Sequence, residues 1–323
     1  MRVFLTGGTG LVGRHIVPEL LGAGHSVLAL SRNETSHAKL KASGCSIHPG
    51  DLTNLEALKS AAADPSVDAI IHTAFDHNWS KFVASCEMDR KVIEAIGHRL
   101  AELKSSKPFV VTSGTMLITP TAGSDGRLQA GKESDAFEAN SPTPRKHSEE
   151  LSDALAERHG VNTITVRLSP SVHSGQEDKQ GFIHIITKMC KEKGQAAYAG
   201  EGQNRWNAVH VKDAAALYRR IVEVEYAQVE SGQTTFAPHP AKRAHAVGEQ
   251  SVAFKDIAGA IGKKNNLPVV SLEGDAFGAH YSMFQYFVAK DNPISSQYSG
   301  DTYGWKPTQI GLLEDIEKYY PVL

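Results

Sequence analysis

Through the first half of the chain, short apolar runs alternate with amphipathic stretches. Val3–Leu5, Val27–Leu30, Ala69–Ile71, Phe109–Val111 and Thr163–Leu168 each read as a buried parallel strand, because a strand covered on both faces is continuously apolar. Between them Leu11–Leu21, Leu55–Ala62 and Phe82–Leu103 carry a helical period. Lys146–Arg158 places Leu151, Ala154 and Leu155 on one face, and a helix starting near Val211 sets Ala214, Ala215, Leu217, Tyr218 and Ile221 at helical spacing. Strands alternating with helices predict an α/β protein built on a doubly wound parallel sheet.

The second half is less regular. Ser169–Gly181 reads as loop, and Thr234–Arg243 (TTFAPHPAKR) as a surface insertion. Ala253–Ile261 is a helix followed by Gly262, Asn265 and Asn266, and Leu313–Tyr320 is the last helix. The expected division is a core over 1–172, to which 208–233 and 244–248 return, and a smaller C-terminal lobe from 173–207 and 249–323.

Charge adds little field. Lys and Arg number 34 against 36 Asp and Glu, a formal net charge of −2, so no nucleic acid or membrane surface is expected as a partner. Cys45, Cys86 and Cys190 are odd in number and widely spaced, which excludes a disulfide scaffold or zinc ribbon. Fifteen histidines without H-E-x-x-H or H-x-H give no metal site. The chain opens MRVFLTGG, a turn directly after a strand; this leaves no room for a signal peptide, and a cytoplasmic location is the expectation. The expected partners are a small-molecule substrate and a second copy of the chain.

Candidate chemistry begins at Thr6-Gly7-Gly8-Thr9-Gly10-Leu11-Val12-Gly13, between the first strand and the first helix. Small residues there let the backbone turn tightly and approach a pyrophosphate, while the helix N-terminus offers free N–H groups. The second strand ends Leu30-Ser31-Arg32, without the carboxylate that holds the ribose hydroxyls of NAD. Arg32 can pair with a 2′-phosphate and Ser31 can donate to it, so NADP (NADPH) is the expected cofactor. Asp51 and Leu52 follow the third strand, where the adenine lies, and Thr73, Ala74 and Phe75 follow the fourth, bordering the cofactor.

TGGTGLVG at the start, GDL at 50–52 and VRLSPSV at 166–172 resemble the short-chain dehydrogenase/reductase superfamily. WNAVHVKDAAALY and the ending YGWKPT…LLEDI are similar to its extended, epimerase/dehydratase-like branch. RLSPSVH, GEGQNRWNAVHV and FKDIAGAIG are most similar to an atypical subgroup of that branch. The resemblance spans essentially the whole chain and implies a Rossmann core with a substrate-holding lobe. It also implies a Tyr-x-x-x-Lys pair at the start of the helix after the fifth strand, yet the first tyrosine of this chain is Tyr198. Lys146 falls near the family lysine, Pro142 then stands at the tyrosine position, and Arg145 is the alternative ribose contact. Tyr286 and Lys290 match the spacing in the C-terminal lobe, away from the family position.

Ser113 and Thr115 follow the fifth strand, where the superfamily hydrogen-bonds the reacting oxygen; a strand-end cap is the plainer alternative. Asp76 and His77 are placed for proton transfer, or for an Asx-braced loop. His173 stands at the mouth of the substrate cleft, Arg205 can clamp an anion, Trp206 can stack on a flat group, and Tyr281 or Tyr286 can reach in from the other lobe. The expectation is an NADPH-dependent oxidoreductase reducing a small carbonyl or activated alkene. Its proton would come through a water ordered by Ser113 and Thr115, or from His77, Tyr281 or Tyr286. A cofactor-reading sensor without turnover, and an epimerase or dehydratase, are the alternatives.

Overall fold

The computed structural model describes residues 1–124, 126–138, 140–141 and 143–323. In chain order its first part runs β1 (Arg2–Thr6), α1 (Gly13–Gly22), β2 (Ser26–Ser31), α2 (Glu34–Ala42), β3 (Ser46–Pro49), α3 (Leu55–Ala63), β4 (Ala69–His72), α4 (Phe82–Glu102), β5 (Phe109–Gly114), α5 (Lys146–His159) and β6 (Thr163–Leu168). There follow β7 (Ser171–His173), α6 (Phe182–Lys193), β8 (Ala196–Ala199), β9 (Arg205–His210), α7 (Val211–Glu230), β10 (Lys242–Ala246), β11 (Glu249–Ala253), α8 (Phe254–Asn265) and β12 (Val269–Leu272).

Among the described residues the main sheet has seven strands in the order β10-β6-β5-β4-β1-β2-β3. Every pairing in it is parallel. The strand order reverses direction at β1, between β4 and β2, which opens a crevice at the carboxyl ends of β1 and β4. Alternation along β1 explains the two covered faces. Val3 and Leu5 pack with Ile16, Leu20, Leu217 and Ile221 from α1 and α7, while Phe4 packs with Leu58, Val92, Ile96 and Leu155 from α3, α4 and α5.

The expected surface insertion is corrected at its end: Lys242 and Arg243 open β10, which pairs with β6 as an edge of the main sheet. The loop reading of Ser169–Gly181 also yields to β7, which pairs parallel with β9. The rest of the chain builds a smaller lobe, with sheets β11-β9-β7 and β12-β8. Trp206, Phe254, Ile257, Ile261, Phe277, Tyr281 and Ile316 form its core. The α8 helix continues through Gly262, where a Cβ would meet Val269 Cγ2 at 2.5 Å, and stops at Asn266 in the left-handed region. No helix of the described residues is long and apolar enough to cross a membrane.

Candidate functional site

The turn after β1 has no room for a side chain at two positions, Gly7 and Gly13. Gly7 lies at φ +78°, and a Cβ there would meet the Ala74 nitrogen at 2.7 Å; a Cβ on Gly13 would overlap the Gly7 carbonyl. Gly10 N donates to Gly7 O at 2.8 Å, closing the turn, and α1 begins at Gly13. Thr6 through Gly13 therefore form a backbone-lined cradle of the kind a pyrophosphate needs. Thr9 and Gly10 are exposed on its open side, with Leu11 and Val12 half-buried behind them.

Beneath the cradle lies a chain of buried polar groups. Thr6 Oγ1 and His72 Nδ1 share a hydrogen bond of 2.6 Å, and Thr6 also accepts from Ala74 N and, at its carbonyl, from Thr73 Oγ1. His72 Nε2 faces Asp89 Oδ1 at 3.2 Å. The other Asp89 oxygen accepts from Ser148 Oγ at 2.5 Å and pairs with the Arg145 guanidinium. Arg145 also donates to the Thr112 carbonyl at 2.5 Å and lies over the Phe75 ring at 4.5 Å. Burial works to raise the Asp89 carboxyl, but Arg145, His72 and Ser148 overcome it and hold it below the usual carboxylate range. Arg145 is thus committed to the floor of the site, and Lys146, half-buried one residue on, begins α5. Pro142 lies outside the described residues.

At the far end of the crevice, Ser31 is corrected as a phosphate donor. It is 3% exposed, and its Oγ gives its proton to Ser36 Oγ at 2.7 Å inside the α2 capping box. Arg32 is exposed beside it. Asp51 Oδ1 accepts from Thr53 N, Thr53 Oγ1 and Asn54 N, which holds its carboxyl below the usual range; Asn54 then caps α3, and Leu52 is half-buried between them.

The end of β5 departs from expectation. Ser113 Oγ donates to Glu149 Oε2 at 2.9 Å, and Thr115 Oγ1 donates to Asn207 Oδ1 at 3.0 Å. Both hydroxyls are buried and turned inward, so neither has a proton to pass to an ordered water. His77 is exposed on the lip after β4, its ring edge-on to Phe75 at 5.2 Å. Burial on that side and then the Arg145 charge push its pKa below the usual imidazole value.

Three substrate candidates are corrected by burial. Trp206 is fully buried and donates from Nε1 to Phe287 O at 3.0 Å; Tyr281 is fully buried and donates to Ala197 O at 2.5 Å. His173 is buried against Asp315 at 2.7 Å, tying β7 to the last helix, Leu312–Tyr319. Arg205 forms an ion pair with Asp291 at 2.8 Å. Asn204, Arg205, Trp206 and Asn207 together clamp residues 287–292, through Val288 O, Asp291, Phe287 O and Asn292.

That clamp delivers a residue the sequence left outside the site. Lys290 Nζ donates to Met116 O at 2.7 Å, one residue beyond Thr115, and stands 5.9 Å from the Tyr286 ring. Burial lowers its amine pKa, opposed by Glu138. The Tyr-x-x-x-Lys spacing marked it; only the β9 clamp shows that it returns to β5. Asp89 and Glu149 carried no sequence signal beyond an acid within a helix.

Residues 3–233 match the model of the NAD dependent epimerase/dehydratase family. The chain belongs to that family. The family uses nicotinamide cofactors, and its members are oxidoreductases and epimerases. The chain is 37% identical over 323 residues to an uncharacterized protein of Saccharomyces cerevisiae, covering 99% of each. It is 27% identical over 235 residues to the decarboxylating sterol-4-alpha-carboxylate 3-dehydrogenase of Dictyostelium discoideum, covering 68% of this chain and 67% of that one. Its fold is similar to that of the dTDP-glucose 4,6-dehydratase DesIV of Streptomyces venezuelae, solved with NAD bound, at a TM-score of 0.71, 16% identity, and 99% and 95% coverage.

Proposed function

We propose that this family member is an NADP(H)-dependent oxidoreductase that reduces a small carbonyl or activated alkene. The observation that carries the reading is the cradle of Thr6–Gly13, whose Gly7 and Gly13 admit no side chain, standing over a buried polar floor, with Lys290 reaching the end of β5 at Met116. Those residues fit a dinucleotide: the turn and the α1 N-terminus receive the pyrophosphate, Arg32 the 2′-phosphate, Asp51 and Leu52 border the adenine, and Thr73–Phe75 line the nicotinamide side. When bound, the nicotinamide supplies the hydride.

The chain's own groups supply the rest. Arg145 holds Phe75 and the end of β5 together, and Lys146, at the start of α5, would meet the ribose. Ser113 and Thr115 act as positioning residues that lock β5 to Glu149 and Asn207. Lys290 gives a proton from Nζ to the oxygen or carbon that receives it, with His77 as the rival donor. An epimerase or dehydratase calls on the missing tyrosine in the family's way, so reduction is favoured. Three buried cysteine thiols outside any disulfide suit a cytoplasmic, reducing location.

The test is NADPH consumption against a panel of ketones, aldehydes and enones. A positioned general acid contributes about 10²–10⁴-fold. Lys290→Met is expected to lower kcat by that order with NADPH-induced thermal stabilisation unchanged, whereas His77→Ala costs little. A full loss in His77→Ala with Lys290→Met active moves the role to His77. Tight NADPH binding with no turnover of any panel member leaves the sensor reading instead.

A further inference from the structure

Beside the cofactor floor stands a wall of rings drawn from both halves of the molecule. Trp79 and Phe82, just after β4, are stacked at 5.3 Å. Trp79 meets Phe182, at the start of α6, at 5.7 Å, and Phe284 at 5.2 Å. Phe182 in turn meets Phe287 at 5.3 Å. The series joins the floor directly, since Phe82 lies 6.2 Å from Phe75, the ring covered by Arg145. Met116, whose carbonyl holds Lys290, packs against the same cluster.

These rings are not sealed in. Trp79, Phe82, Phe182 and Phe287 keep part of their surface in solvent, and the neighbouring Met283 and Tyr286 are 57% and 51% exposed. Partly exposed rings converging from three distant segments beside a cofactor floor leave apolar faces for a ligand. The adjoining cations are already engaged. Arg205 is neutralised by two hydrogen bonds to Asp291, and Lys290 is turned onto a carbonyl. A diphosphate entering here would have to break the first pair and would lay its charge against aromatic carbon.

Resting on the reductase reading, we infer that the cleft takes an uncharged, largely apolar carbonyl or enone bearing a flat ring or conjugated chain, stacked against Trp79, and not a nucleotide sugar. The substrate's apolar part lies on the ring wall, and its carbonyl points towards Met116 and Lys290.

Binding is measured by calorimetry on the full chain loaded with oxidised NADP⁺, where no reduction can follow. The probes are 4-phenyl-3-buten-2-one and dTDP-glucose. The enone is expected to bind and dTDP-glucose not to. Loss of one stacking face is worth about tenfold. Trp79→Ala should therefore raise the enone Kd about tenfold, and Trp79→Phe by clearly less, with the cofactor-induced thermal shift unchanged in both. Absence of enone binding, tighter binding of dTDP-glucose, or an unchanged Kd in a folded Trp79→Ala protein each overturns the inference. Enone binding without NADPH consumption sinks the reductase reading and leaves the substrate class standing; NADPH consumption with small hydrophilic aldehydes and no enone binding does the reverse, and turnover of dTDP-glucose sinks both.

Discussion

Beneath the glycine-rich turn, Thr6, His72, Asp89 and Ser148 are buried and linked by hydrogen bonds and close ionic contacts that end on the partly exposed Arg145. Beside it, and joined to it through Phe75, the rings Trp79, Phe82, Phe182, Phe284 and Phe287 meet through faces and edges. The floor is directional: each group has a fixed partner at a fixed angle, and losing one leaves another buried and unpaired. The wall is non-directional, and rings can slide or tilt at small cost. A cofactor of constant shape suits the first construction, and a substrate that must enter and leave suits the second.

The largest effect should come from breaking the floor. Asp89 is 2% exposed and neutralises Arg145, so Asp89→Ala leaves a largely buried guanidinium without its counter-charge. Removing one partner of such a pair costs about 3–5 kcal/mol. Chemical denaturation should show that loss, together with weaker cofactor binding, since Phe75 and the end of β5 both rest on Arg145. A loss below about 1 kcal/mol would make the floor as forgiving as the wall and erase the contrast.

A second polar cluster, on the far side of β5, tests whether burial alone governs such networks. Arg167, fully buried, donates from Nε to Glu149 at 3.0 Å, and Arg243 bridges Glu149 and Asp153. One Asp153 oxygen has Arg243, whereas the other has no hydrogen-bond partner among the described residues. Burial pushes the Asp153 carboxyl up to about 6, with Glu149 adding to it and Arg243 opposing. An unfolded aspartate titrates near about 3.9. Between these values the folded chain holds a proton that the unfolded chain has lost, so this group's contribution to stability falls as pH rises from about 4 to 6, and is flat above. At about 1.4 kcal/mol per pH unit the span is at most about 3 kcal/mol. Subtracting the stability curve of Asp153→Asn from that of the wild type should isolate this slope; a difference independent of pH would refute it.

The same two constructions explain what could be read from sequence. Val3–Leu5, Ala69–Ile71 and Phe109–Val111 announced strands because each is buried in the sheet among apolar neighbours, and Gly7 and Gly13 were legible because their backbones admit no side chain. β10 was missed because Lys242, Arg243 and His245 look solvated. They are held instead by Glu225, Asp153 and the Ser295 carbonyl, so a strand inside an ionic network loses its apolar signature. Trp206 and Tyr281 looked like ligand contacts because an aromatic with a polar tip serves either purpose; backbone carbonyls of residues 287 and 197 decide for the core. The wall itself was illegible, since Trp79, Phe182, Phe284 and Phe287 lie far apart in the chain and no periodicity connects them.

The smallest effect concerns the end of the crevice farthest along the sheet from the wall. Arg32 is exposed after β2, and with Ser31 turned into the α2 cap it is the side chain left there to meet a 2′-phosphate. A hydrogen bond to a charged group is worth about 1.5–3 kcal/mol, and solvent puts an exposed one towards the lower end. Wild-type protein should therefore bind NADPH about tenfold more tightly than NADH, and Arg32→Ala should bring the two together by weakening NADPH alone. Because the contact is between exposed charges, the preference should also shrink as salt is raised from about 0.05 to 0.5 M, while NADH affinity changes less. Trp79→Ala should leave the cofactor preference untouched, and Arg32→Ala should leave enone affinity untouched, if floor and wall are separable. Equal wild-type affinities would assign the pocket to NAD, and a preference surviving in Arg32→Ala would assign the phosphate to the backbone of the first turn of α2.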